Sequence, residues 1–274
     1  TAQMADLPLL FIKTVLLRPY VFLFLAAFLF SAQRLLGWKR TGLFFVVSWI
    51  TAFLCEFSST RTGIPFGSYY YTGSTAGLEL YLSNVPFMDS LSFTFLLYAS
   101  YCLALLFLLP AYPFSSFQRH LRLKFDPAVR TSWPVILLTA LFYAFIDVVI
   151  DPVALRGDRW FLGQIYGYRY PGVYFGVPVE NFIGWAMVGL IALPAYFLFD
   201  RRLDPLPSEI ERPMDRGVTA NVLLGCALYY GVLVFNLAIT FWIDEPLLGM
   251  IGILIYLPIT ALALLRLLGR LPSR

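Results

Sequence analysis

The chain has 274 residues, 59% of them hydrophobic and 13% charged, with a formal net charge of +4 and a mean hydropathy of +0.75. Soluble globular chains carry about 25% charged residues, so a water-soluble globule is excluded, and an aromatic content of 18% excludes intrinsic disorder. What remains is an all-α integral membrane protein, read as a single polytopic domain over residues 1–274.

A hydrocarbon core about 30 Å thick needs about 20 mostly apolar residues to cross it as a helix. Stretches that reach or approach this length run over 8–33, 41–57, 90–110, 132–150, 181–199, 217–240 and 246–265, which predicts about seven spans. In the first stretch Pro8, Lys13 and Arg18 interrupt the apolar run and no small-residue cleavage pattern follows, so it is expected to be retained rather than removed as a leader. The second is the shortest, charge-free from Thr41 to Cys55 and ending at Glu56. Asp89 opens the third span, Asp147 and Asp151 lie at the end of the fourth, and Glu180 opens the fifth.

The segments between the spans fall into two kinds. Arg34, Lys39 and Arg40, then Arg119, Arg122, Lys124 and Arg130, then Arg201, Arg202, Arg212 and Arg216, then Arg266, Arg270 and Arg274 occupy alternate connections and the tail. They are 14 of the 20 basic residues. Lys13, Arg18, Arg61, Arg156, Arg159 and Arg169 fall on the other side. Cytoplasmic loops are enriched in Lys and Arg, so the N-terminus is expected outside and the C-terminus in the cytoplasm, in the cell (inner) membrane. The basic loops then set orientation and meet lipid headgroups, not nucleic acid. Loops 58–90 and 151–180 are rich in Tyr, Gly and Pro and are expected together on the non-cytoplasmic face. Tyr69, Tyr70, Tyr71, Tyr166, Tyr168, Tyr170 and Tyr174 can serve as an interfacial aromatic belt. A belt needs no carboxylates, however, and these loops are bracketed by them.

Several chemistries drop out. Cys55, Cys102 and Cys226 sit in apolar runs without metal-ligand spacing, and His120 is the only histidine, so no metal centre is expected. Gly63, Gly67, Gly172 and Gly176 lack the strand-to-helix context and Lys-Ser/Thr ending of a phosphate cradle, so no nucleotide cofactor is expected. A retinal Schiff base needs a lysine in the last helix, and residues 246–265 contain none.

Acids within apolar segments mark function in membrane proteins. Asp147 and Asp151 are four residues apart, which on a helix places both on one face with Cβ atoms about 6 Å apart. Two carboxyls this close in low dielectric cannot both ionise cheaply, so one is expected to keep its proton as a general acid. The alternative is that Asp151 caps a turn at Pro152 while Asp147 bonds an Arg or Tyr hydroxyls. Glu56 is expected to pair with Arg61, orienting the loop Thr62–Gly67. Asn181 and Trp185, one turn apart, can hydrogen-bond and stack on one ligand or simply cap and anchor the fifth span. An acid in an aromatic cavity suits protonation of an alkene, because ring faces stabilise the carbocation without trapping it. Isoprenoids and carotenoids are the membrane-soluble alkenes.

The ordered motifs Glu56, Thr62-Gly63-x-Pro65-Phe66-Gly67-x-Tyr69-x-Tyr71-Thr72, Val85-Pro86, Asp147-x-x-x-Asp151-Pro152, Trp160 and Tyr174-Phe175-Gly176-Val177-Pro178-x-x-Asn181-Phe182-x-Gly184-Trp185 resemble the membrane-bound carotenoid biosynthesis family that includes carotenoid 1,2-hydratases, over residues 40–200. The resemblance implies cofactor-free hydration of the terminal C1=C2 bond of an acyclic, lycopene-like carotenoid. Residue chemistry and the resemblance together make Asp147, Asp151, Glu56 and Asp89 the catalytic candidates, and Arg61, Phe66, Tyr69, Tyr71, Trp160, Tyr174, Asn181 and Trp185 the substrate-binding candidates. Asp89 departs from the family pattern, in which an apolar continuation follows Val85-Pro86. A lycopene-type cyclase working through the same cation, and a non-catalytic carotenoid or lipid carrier, are the alternatives.

Overall fold

The structure, a computed structural model, describes residues 7–112, 121–203 and 216–269 and is 72% helical. Arg119, His120, Arg212, Arg270 and Arg274 of the sequence reading lie outside the described residues. Among the described residues seven helices are long and apolar enough to cross a membrane: α2 (Pro19–Leu36), α3 (Trp38–Thr62), α4 (Phe87–Leu108), α5 (Trp133–Ala154), α6 (Val179–Asp200), α7 (Arg216–Trp242) and α8 (Pro246–Leu267). Before them comes the short α1 (Leu7–Leu17).

The first apolar stretch is therefore two helices and not one. Proline disfavours the helical conformation in the residue before it, and Arg18, preceding Pro19, adopts φ −124°, ψ 51°. At the break the fully buried Arg18 donates to both carboxylate oxygens of Glu79, at 3.3 and 3.0 Å, and to the Leu162 carbonyl at 2.5 Å. The second span runs longer than its charge-free core. Helix α3 continues to Thr62, where Gly63 ends it with φ +79° and an N–H bonded to the Ser59 carbonyl. Glu56 thus sits inside a helix, not at its end.

Helix α4 is the hub of the bundle, packed against α2, α3, α5, α7 and α8. Of its most apolar stretch 83% is buried, against 28% in α3 and α8, whose outer faces are left for lipid. Lipid tails are as apolar as leucine, so close backbone approach supplies much of the packing. At Gly225 of α7 a Cβ would lie 2.2 Å from Cys102 Sγ of α4, so only glycine permits that approach.

The two ends of the bundle differ. At one, the loops on either side meet: β1 (Tyr69–Tyr71) pairs antiparallel with β4 (Tyr166–Tyr168), placing Tyr69 opposite Tyr168 and Tyr71 opposite Tyr166. A small hairpin of β2 (Tyr81–Leu82) and β3 (Val85–Pro86) leads into α4. Arg156 and Arg159 reach Glu245 between α7 and α8, tying that connection to the same end. At the other end Asp200 lies between Arg40, at 2.5 Å, and Arg130, all three buried. There Arg266 donates to the free carbonyls of Leu106 and Leu109 that close α4.

Candidate active site

Beneath the paired loops lies a cavity of about 940 Å³ of unfilled space, part of it open to the outside. Its walls come from α2 to α7 and from both aromatic loops. The roof follows from strand geometry. Alternate residues of a strand face the same way, so Tyr69 and Tyr71 turn inward while Tyr70 is exposed. The opposite strand presents Tyr166 and Tyr168 on that same face. All four tyrosines line the cavity.

Three of these hydroxyls meet two acid pairs, while Tyr69 Oη donates to the main-chain carbonyl of Glu56 at 3.4 Å. On α5, Asp147 and Asp151 share one face, as their spacing predicts, and both are buried. Asp151 accepts from Tyr166, from Tyr168 at 2.7 Å and from Asn181 Nδ2 at 3.2 Å. Asp147 Oδ2 accepts from Asn181 Nδ2 at 2.5 Å, and its Oδ1 is buried without a hydrogen-bond partner. Across the cavity Tyr71 Oη lies 2.7 Å from Glu56 Oε1 and 2.7 Å from Asp89 Oδ2. A phenol carries one proton. Tyr71 can donate to only one of these carboxyls, so both contacts are hydrogen bonds only when the other carboxyl is protonated and donates to it. Ser90 also bonds Glu56. Burial first, and Asp151 second, hold the Tyr166 and Tyr168 hydroxyls above the ordinary phenol range; burial, Asp89 and Glu56 do the same for Tyr71. These phenols stay protonated donors.

The remainder of the cavity is aromatic. Phe93 stacks on Trp185 with centroids 4.1 Å apart, and Tyr143 meets Trp185 edge-on at 4.8 Å. Phe66 closes this side, packed so tightly on Gly184 that a Cβ there would lie 2.5 Å from its ring. Toward α2 and α7 the wall is Tyr20, Phe24, Trp160 and Phe235, and Tyr20 stacks on Phe235 at 5.2 Å. Phe161 and Trp242, both exposed, continue this aromatic seam to the outer surface.

Of the residues singled out from the sequence, Glu56, Asp89, Asp147, Asp151, Phe66, Tyr69, Tyr71, Trp160, Asn181 and Trp185 line this one cavity. Two do not. Arg61 is exposed, lies 3.4 Å from the Phe57 ring centroid and donates to Asn84 and Ser83. The expected Glu56–Arg61 pair does not form, because Glu56 points inward to Tyr71 and Ser90. Tyr174 packs on Phe175 and Phe182 outside the cavity. Nor does Asp151 cap a turn, since α5 continues through Pro152. Conversely, Tyr166 and Tyr168, readable as belt residues, are the donors to Asp151; the alternation Tyr-Gly-Tyr, a strand signal, was the available clue. Nothing in the local sequence marked Tyr20, Phe235 or Asn236. Among the described residues no cluster of three or more His, Cys, Asp or Glu is arranged to hold a metal ion.

The family model for carotenoid biosynthesis proteins matches residues 15–257, and the chain belongs to that family. It is 28% identical over 214 residues to a bisanhydrobacterioruberin hydratase of Haloarcula japonica, a match covering 78% of this chain and 62% of that protein. The chain therefore spans less than two thirds of that relative's length. No solved structure matches it.

Proposed function

We propose that this chain hydrates the terminal C1=C2 double bond of an acyclic, lycopene-like carotenoid, working as one polytopic membrane domain. The observation that carries the reading is the asymmetry of the α5 pair. Asp151 is surrounded by donors and is suited to be the carboxylate. Asp147 Oδ1 is buried without a partner and is suited to carry a proton into the cavity.

In this mechanism Asp147 gives its proton to C2. The π electrons form the new C2–H bond and C1 becomes a tertiary cation. Asp147 leaves as a carboxylate, still hydrogen-bonded by Asn181. The faces of Trp185, Phe93 and Tyr143 supply the negative quadrupole for the cation. Water attacks C1 through oxygen, and its surplus proton passes to the Glu56/Asp89 pair, leaving a tertiary alcohol. Return of that proton to Asp147 across the tyrosine roof closes the cycle. One water is added and no redox change occurs, so the chemistry requires no cofactor. The rest of the polyene extends along the seam between α2 and α7 into lipid.

The aromatic lining also supports a second reading. If water is kept from C1, the neighbouring double bond attacks the same cation and closes a ring, as a lycopene-type cyclase would. Expression in a lycopene-producing host with mass analysis of pigments separates the readings. A gain of one or two waters supports hydration. Unchanged mass with altered absorption supports cyclisation, and unchanged pigment supports a carrier.

The paired loops are proposed to face outward in the cell (inner) membrane, with the N-terminus outside and the C-terminus cytoplasmic. Arg34, Lys39, Arg40, Arg201, Arg202 and Arg266 all lie near helix ends opposite those loops, which supports this orientation. Cysteines at the exposed Ser74 and Asp158 are expected to be labelled from outside only. Labelling from the cytoplasm alone would reverse the orientation.

A further inference from the structure

A second recess, with about 1210 Å³ of unfilled space including its open mouth, lies between α1 and the 71–84 segment. Its lining is more polar than that of the carotenoid cavity and includes Thr72, Glu79, Tyr81, Ser83 and Asn84, with Leu7 and Leu10 from α1. Tyr71 lines both spaces. Its side chain is half-buried, and its hydroxyl is the one shared by Glu56 and Asp89. The recess is held in place by built contacts: Leu80 N–H donates to Thr14 Oγ1 of α1 at 2.8 Å, and the buried Arg18 bonds Glu79.

A hydration reaction in an apolar cavity has a supply problem, because water must arrive at one face of a cation while the polyene fills the rest. The reactants are best kept on separate routes. The aromatic seam of α2 and α7 suits the polyene, and the polar recess suits water.

We infer that the attacking water reaches the carotenoid cavity from the recess beneath α1, with Tyr71 as the wall that passes it to Glu56 and Asp89. This rests on the hydratase reading and adds to it the direction of water supply and the role of a residue that touches both spaces. In the balanced step, water oxygen bonds to C1 and one water proton goes to the acid pair that Tyr71 bridges. Glu56 and Asp89 thus receive the proton, and Asp147 is the donor that precedes them.

The test uses the whole chain equilibrated in D₂O, so that Asp147 already carries deuterium, then given lycopene in lipid vesicles for a single turnover, following two products: the alcohol, and lycopene recovered with deuterium at its ends. Deuterium in recovered lycopene reports reversible protonation by Asp147 without water capture. Ala76 is exposed and lines the recess but not the cavity that holds the acid pairs. An Ala76→Cys variant is assayed before and after modification with a bulky maleimide, so that each preparation is its own folding control, and unsubstituted protein treated alike controls for Cys55, Cys102 and Cys226. Modification is expected to lower alcohol formation on the order of 100-fold, the scale on which loss of a positioned reactant acts, while deuterium exchange persists. Leu10→Trp, which narrows the recess from α1, is expected to act in the same direction. Undiminished alcohol after both changes would overturn the proposal and leave the hydratase reading standing. Equal loss of alcohol and exchange would overturn it as well, because the recess would then serve protonation or folding. Unsubstituted protein that neither hydrates nor exchanges would overturn both readings together.

Discussion

The buried acids of the cavity and the buried acid at the far end of this bundle meet opposite kinds of partner, and the Glu79–Arg18 ion pair, which lies at the loop end but outside the cavity lining, follows the far-end pattern. At the end away from the loops, Asp200 is met by the guanidinium groups of Arg40 and Arg130, and the charge is compensated. Beneath the paired loops, Glu56, Asp89, Asp147 and Asp151 are met by hydroxyls and one amide, and among the described residues none of them forms an ion pair. An ion pair locks a carboxylate in its charged form and is strongly destabilising to break. A phenol or amide shell holds a carboxyl in place while leaving it free to gain or lose a proton. A buried carboxyl is thus tied in place where a guanidinium meets it and left able to exchange a proton where hydroxyls and an amide do.

The largest expected effect tests the reagent end. Asp147→Asn keeps shape and removes the transferable proton. Turnover, followed by pigment mass analysis, is expected to fall on the order of 10²–10⁴-fold, the usual contribution of a positioned acid, while the protein remains monodisperse in detergent. Activity retained in both Asp147→Asn and Asp151→Asn would make Glu56 and Asp89 the leading donors and remove the pair from the mechanism.

Asp200→Asn tests the structural end. It leaves two buried guanidiniums without their carboxylate and is expected to destabilise the protein by about 3–5 kcal/mol, read as a lower thermal midpoint. Turnover per folded molecule is expected to hold. A collapse of turnover without loss of stability would show that the two ends are not divided in this way.

Intermediate effects belong to the shells. Tyr166→Phe and Tyr168→Phe each remove a donor to Asp151, and hydrogen bonds to charged groups contribute about 1.5–3 kcal/mol, so turnover is expected to drop roughly tenfold to a hundredfold. Asp89→Leu is expected to lower alcohol formation more than lycopene consumption, with cyclised or double-bond-shifted pigment appearing. Equal loss of both would place Asp89 before the cation forms.

The smallest effect concerns Arg61, which the sequence suggested as a site residue and the structure places outside the cavity. Arg61→Ala is expected to change stability by only about 0.5 kcal/mol, as surface substitutions do, with turnover unaltered. A large loss of activity would return it to the site.

Much of the architecture was legible in the chain because lipid acts on segments. Whether a stretch of about 20 residues is apolar enough to cross is a property of that stretch alone, so seven spans and their order could be counted, as could the shared helical face of Asp147 and Asp151. The break at Arg18 was also local, written in the proline that follows it, although only the buried partner Glu79 shows why a charge is tolerated there. The pairing of acids with donors was not local. Tyr71 meets Glu56 across 15 positions, Asn181 meets Asp147 across 34, and the two tyrosine strands that form the roof are separated by the whole of α4 and α5. Arg61, five residues from Glu56, turned to Asn84 instead, because the helix carries Glu56 inward and leaves Arg61 at the surface. Hydropathy and helical period determined which segments cross and which carboxyls share a face. Tertiary structure alone decided which hydroxyl, amide or guanidinium reaches each carboxyl, because that depends on which helices and loops are brought side by side.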